Sequence, residues 1–177
     1  MFNLIISIIA IALVVVLAGA SLYYGGSAFN QGSSDAKAAT LINQAQQIQA
    51  SVTLYKANEG GAPESIGDLD GQYLAATPEI PVGAGTDAWV LDTAGTLGGS
   101  GSKDIVAVKV NAASKADEGI TKDICKTINA DGAGVVFCTM DAADVTTVDK
   151  TKGSTDAAID ALSLVANTSK AVVHMAL

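Results

Sequence analysis

Apolar residues follow three patterns along the chain. They are nearly continuous from Leu4 to Leu17, recur at alternating steps of three and four from Ala38 to Tyr55, and cluster in short β-branched runs after Gly60. The first pattern predicts a helix with no polar side, through Leu4, Ile5, Ile8, Ile9, Ile11, Leu13, Val14, Val15, Val16 and Leu17. Some 20 such residues, rising about 1.5 Å each, match the roughly 30 Å hydrocarbon core of a bilayer. Ala18-Gly19-Ala20 has the small-x-small form of a signal-peptidase site, but a cleaved signal carries an apolar region of only about 7 to 15 residues. This one continues past the site, and helical spacing resumes beyond it.

The second pattern predicts an amphipathic helix over 36–58, with Leu41, Ala45, Ile48, Val52 and Tyr55 on the stripe that packs against the rest of the protein. Its other face reads as Asn43, Gln44, Gln46, Gln47 and Gln49, polar and uncharged. Glycine costs a helix about 1 kcal/mol relative to alanine. Gly25, Gly26 and Gly32 therefore predict a weakened or locally extended stretch over 25–34 within one long helix, which ends at Glu59-Gly60-Gly61. Continuous over that range, the helix would be on the order of 85 Å long, longer than a domain of about 120 residues is wide.

The third pattern predicts an α+β head over 60–177, joined to the helix of 1–59. Residues 64–69 suit a single helical turn. Strands are expected at 88–91, 104–110, 134–140 and 171–175, forming a small antiparallel sheet, with the first two as a hairpin around the loop 96–102. Helices are expected over 118–128 and 156–167.

Charge sharpens the division. All 18 acidic side chains and 10 lysines lie from Asp35 onward, arginine is absent, and the net charge is -8. Such a chain lacks the cations that neutralise phosphates, which argues against nucleic acid as a partner. With no lysine before Lys37, the expectation is either a processed chain or membrane insertion that relies on hydrophobicity alone.

Little in the sequence carries reaction chemistry. His174 is the sole histidine, no Gly-x-Ser-x-Gly elbow occurs, and Gly83-Ala84-Gly85 and Gly98-Gly99-Ser100-Gly101 lack the lysine and helix of a phosphate loop. Asp141, Asp144 and Asp149 do not have EF-hand spacing and read as a solvated acidic face. Asn167-Thr168-Ser169 fits a glycosylation sequon, a pattern common by chance. No enzyme, metal or cofactor is expected. Cys125 and Cys138, outside the apolar segment, are expected to form a disulfide worth about 3 kcal/mol, the alternative being two buried thiols.

An apolar half-helix, an amphipathic half-helix and an acidic head with two cysteines together resemble the type IV pilin and pseudopilin superfamily, over residues 1–59 and at the cysteine pair. The resemblance implies a structural subunit held in the inner membrane, then polymerised with itself by a pilus or secretion machinery into an extracellular surface filament with the N-terminal helix in its core. Family members carry a glutamate at the fifth mature residue, where this sequence has Ile5, so assembly is expected to rely on packing of apolar helices alone. The competing expectation is a monomeric, membrane-anchored, non-enzymatic protein in the periplasm or outside the cell.

Overall fold

A computed structural model describes residues 2–83, 88–92, 105–111, 119–141, 145, 148–149, 151–162 and 170–177. The fold is α+β. A single helix, α1, runs from Phe2 to Glu59 over 58 residues, followed by a 3₁₀ turn at Ile66–Leu69 and strands β1 (Trp89–Asp92) and β2 (Ile105–Asn111). Helix α2 (Lys122–Asp131), strand β3 (Val136–Asp141), helix α3 (Asp156–Ala161) and strand β4 (Lys170–Ala176) complete the order.

The expected break in α1 is not present: Gly25, Gly26 and Gly32 are all helical. Each lowers helix propensity by about 1 kcal/mol, yet none interrupts the backbone ladder, and a methyl group built on any of them would meet nothing within 4 Å. The helix stops at Gly60, whose φ of +74° is the left-handed conformation that favours glycine. Its N–H donates to the Lys56 carbonyl at 3.1 Å, satisfying one of the last carbonyls.

The strands form one antiparallel sheet in the order β1-β2-β4-β3. β4 lies in the middle, and Ala171, Val172, Val173, His174 and Met175 are all buried, the near-continuous pattern of a strand covered on both faces. Met175 pairs with Val106 on one side and Val136 on the other. These three, with Ala171, Val173, Cys138 and Met140, form the layer against which α1 and α2 pack. The opposite face is smaller, with Ala107 and Val172 covered by Val145 and Val148.

Contacts divide the chain into two units, Met1–Ser33 and Ser34–Leu177. The division falls inside α1 rather than at residue 59, because Ala38, Leu41, Ile42, Ala45, Ile48 and Val52 are core residues of the second unit. Fully burying a Leu, Ile or Val side chain contributes about 1.5 to 3 kcal/mol, so this half of α1 is bound to the sheet by the main hydrophobic term of the fold.

Two helix boundaries differ from expectation. α2 begins at Lys122 because Thr121 caps it, its hydroxyl accepting from the Ile124 N–H at 3.3 Å. α3 ends at Ala161, where Leu162 turns extended and closes a tighter turn onto the Ile159 carbonyl. The positions 118 and 163–167 of the expected helices, the loop 96–102, and residues 84–85, 98–101, 144 and 167–169 lie outside the described residues.

Candidate functional site

Within the Met1–Ser33 unit, Leu4, Ile5, Ile8, Ile9, Ile11, Leu13, Val14, Val15, Val16 and Leu17 leave between 53% and 69% of their surface uncovered. A helix advances 100° per residue, so these positions surround the axis rather than forming one stripe. Among the described residues this is the one helix long and apolar enough to cross a membrane. An exposed apolar surface of this extent marks a membrane or protein contact. Ala10 leaves a shallow apolar hollow bounded by Ile11, Val14 and Val15.

The segment ends in aromatics. Tyr23 and Tyr24 are 80% and 74% exposed, their rings edge to face with centroids 5.5 Å apart. Phe29 is exposed one turn further on. From Gly25 to Ser34 the side chains are small or polar apart from Phe29.

In the second unit, Leu41, Ala45, Ile48 and Val52 are buried and Tyr55 is half-buried against the same core, its ring 5.4 Å from that of Tyr73. The glutamine face divides. Asn43, Gln46 and Gln47 are exposed, whereas Gln44 and Gln49 flank the apolar stripe and turn inward. Gln44 donates to the Glu79 carbonyl at 2.7 Å and accepts from the Trp89 indole N–H at 3.0 Å. Gln49 donates to the Ala176 carbonyl at 3.4 Å. Asp35, the first charged residue, accepts from the Thr127 hydroxyl at 3.2 Å and ties the start of this unit to α2.

Cys125 and Cys138 are joined in a disulfide that links α2 to β3, with Cα atoms 5.3 Å apart and both residues fully buried. The free edge of β3 is blocked by side chains. Asn129 engages both backbone groups of Cys138, and the Ser154 hydroxyl accepts from the Met140 N–H at 3.1 Å. An unpaired edge would otherwise template further strand pairing.

His174 lies on the smaller sheet face at 0% exposure, between the cross-strand neighbours Ala107 and Phe137. Its Nε2 is 3.0 Å from the Thr139 hydroxyl, and Nδ1 has no partner. Burial pushes its pKa down to about 4, against a weaker upward pull from Asp149. The imidazole is therefore neutral and shut off from solvent. Asp149 serves its own turn, accepting from the Thr151 N–H and hydroxyl at 3.0 and 2.7 Å and pairing with Lys152 at 3.4 Å. Asp141 is exposed at the end of β3. Among the described residues no three His, Cys, Asp or Glu side chains converge as metal ligands. A hollow on the surface between α2 and residues 152–156 has Lys126 and Lys152 at its mouth, each paired with an aspartate, Asp160 and Asp149.

The Tyr23–Tyr24 pair and the Asn129 clamp were missed by the sequence reading. Aromatics closing an uncharged run were a readable sign of a membrane interface. Nothing local distinguishes Asn129 from any other polar helix residue. Comparison with protein-family models, with curated proteins and with solved structures finds no match for this chain.

Proposed function

We propose that this chain is the structural subunit of a type IV pilus-like surface filament, non-enzymatic, and polymerised through packing of its N-terminal helix. One observation carries the reading: the first half of α1 is apolar on all sides, uncharged and uncovered, on a helix whose second half is built into a folded, disulfide-bonded unit. Such a subunit has two environments for that surface, a bilayer before assembly and neighbouring copies after it. Transfer between them is nearly neutral for apolar burial, because hydrocarbon and a helix bundle are similarly apolar. Van der Waals contact then drives association, favoured by small residues such as Ala10, Ala12, Ala18, Gly19 and Ala20 that let backbones approach. Repeated head-to-tail contacts between identical subunits generate an open helical polymer. The partners of this reading are further copies of the chain, the inner membrane and an assembly machinery.

Shearing cells that express the chain tests this reading, with electron microscopy of the released material labelled by an antibody against the second unit. Labelled filaments are expected. Recovery of the chain only as a monomer in detergent-extracted membrane would overturn it in favour of a membrane-anchored monomer.

A further inference from the structure

We infer that Tyr23 and Tyr24 anchor the helix at the water boundary of a phospholipid bilayer, so that Asn3–Leu22 occupies the hydrocarbon and residues 25–34 continue as helix outside it. The inference deepens the membrane stage of the proposed function and rests on it. Asn3–Leu22 comprises 20 residues without a charge, about 30 Å of helix, which equals the hydrocarbon thickness. Apolar surface is exposed around the whole circumference of this stretch. A single partner helix would need only a stripe, whereas lipid contacts every side. The hydroxyls within it make no demand on water: Ser7 donates to the Asn3 carbonyl at 2.9 Å and Ser21 to the Leu17 carbonyl at 2.8 Å.

The boundary is abrupt. Two adjacent, exposed tyrosines are followed by Gly25, Gly26, Ser27, Asn30, Gln31, Gly32, Ser33 and Ser34, with Ala28 and the exposed Phe29 as the apolar residues among them. Tyrosine is enriched at the level of lipid headgroups because its ring is apolar and its hydroxyl is polar. The two rings meet edge to face with centroids 5.5 Å apart, forming one amphipathic aromatic cluster at the interface level that resists sliding along the bilayer normal.

Nitroxide labels at Ile11→Cys, Leu22→Cys and Phe29→Cys, in the full chain in phosphatidylcholine vesicles, test the register by collision with oxygen and with a water-soluble nickel chelate. The native cysteines are bridged and buried and do not take the label. The label at 11 should meet oxygen and not nickel, that at 29 should meet nickel freely, and that at 22 should fall between them. Equal depth at 11 and 29, or nickel access at 11, would overturn the proposal. Replacing both Tyr23 and Tyr24 with Leu should carry the label at 22 deeper, and an unchanged depth would refute the anchoring role. Spin–spin broadening at 11 that survives high lipid dilution would assign the surface to a second copy and equally overturn it. The vesicles contain no assembly machinery, so these outcomes are independent of whether filaments form in cells.

Discussion

Asn129 on α2 holds the backbone of Cys138 on β3 by both its groups, Oδ1 accepting from the N–H at 2.7 Å and Nδ2 donating to the carbonyl at 3.0 Å. Cys125, one helical turn earlier on the same face of α2, is covalently bonded to that same residue. Nδ2 also donates to the Ser154 carbonyl at 2.9 Å. The helix is thus fixed to the strand at one point by a covalent bond and a set of hydrogen bonds, and the strand edge is closed in the same step.

Asn129→Ala should destabilise the second unit by about 2 to 4 kcal/mol, since the Cys138 N–H and the Ser154 carbonyl lose their Asn129 partner at about 1 to 3 kcal/mol each, while the Cys138 carbonyl keeps the Ser154 N–H at 2.9 Å. Urea denaturation under oxidising conditions measures this. A loss below about 0.5 kcal/mol, within the range of an ordinary surface substitution, would show that water replaces the clamp.

The disulfide closes a short loop, with a sequence separation of 13. In the chain-entropy model such a crosslink contributes about 3 kcal/mol. Cys125→Ser and Cys138→Ser, singly or together, should lower the melting temperature and make it insensitive to reductant. The bonded chain should lose the same increment when reduced.

His174 is neutral when folded, with a pKa lowered to about 4, and ordinary when unfolded, near 6.5. Between these values the unfolded chain binds the extra proton. Stability is therefore complete above about pH 6.5, falls as the pH drops to about 4, and loses up to about 3 kcal/mol on the way. The charged groups around the ring include Asp149, on the segment covering this sheet face, which opposes the shift; Phe137, Thr139 and Ala107 bring no charge. His174→Gln should flatten the difference curve between pH 6.5 and 4 in a comparison of urea midpoints. Parallel curves would show that the ring is not the group responsible.

Gly25 and Gly26 are exposed and helical with open space around them. Replacement of both by alanine should stabilise the local helix by roughly 2 kcal/mol in total and slow amide exchange over residues 22–34. Exchange at the native rate would mean that these glycines do not limit the helix.

Much of this fold was readable in the sequence because its patterns are long or punctuated. Ile48 and Val52 keep helical spacing for a core stripe, and Gly60 and the run 171–175 mark a helix end and a buried strand. Elsewhere tertiary contact decided. Gln44 and Gln49 read as solvent-facing, yet each lies beside the stripe, where Trp89 and the Ala176 carbonyl supply polar partners. The glycines at 25 and 32 predicted a break by propensity alone, but a cost of about 1 kcal/mol each does not interrupt a ladder continuous on both sides. The N-terminal surface was legible as apolar. The tyrosines that close it, Tyr23 and Tyr24, were equally legible there, as aromatics ending an uncharged run.

Helical reconstruction of sheared surface material at side-chain resolution tests the central claim most directly. The account predicts a filament whose core is made of residues 3–33 from many copies, with apolar side chains such as Ile5, Ile9 and Val16 in mutual contact and the Ser34–Leu177 unit outward. A filament whose core excludes that segment, or a chain found only as isolated monomers in membrane extracts, would contradict it.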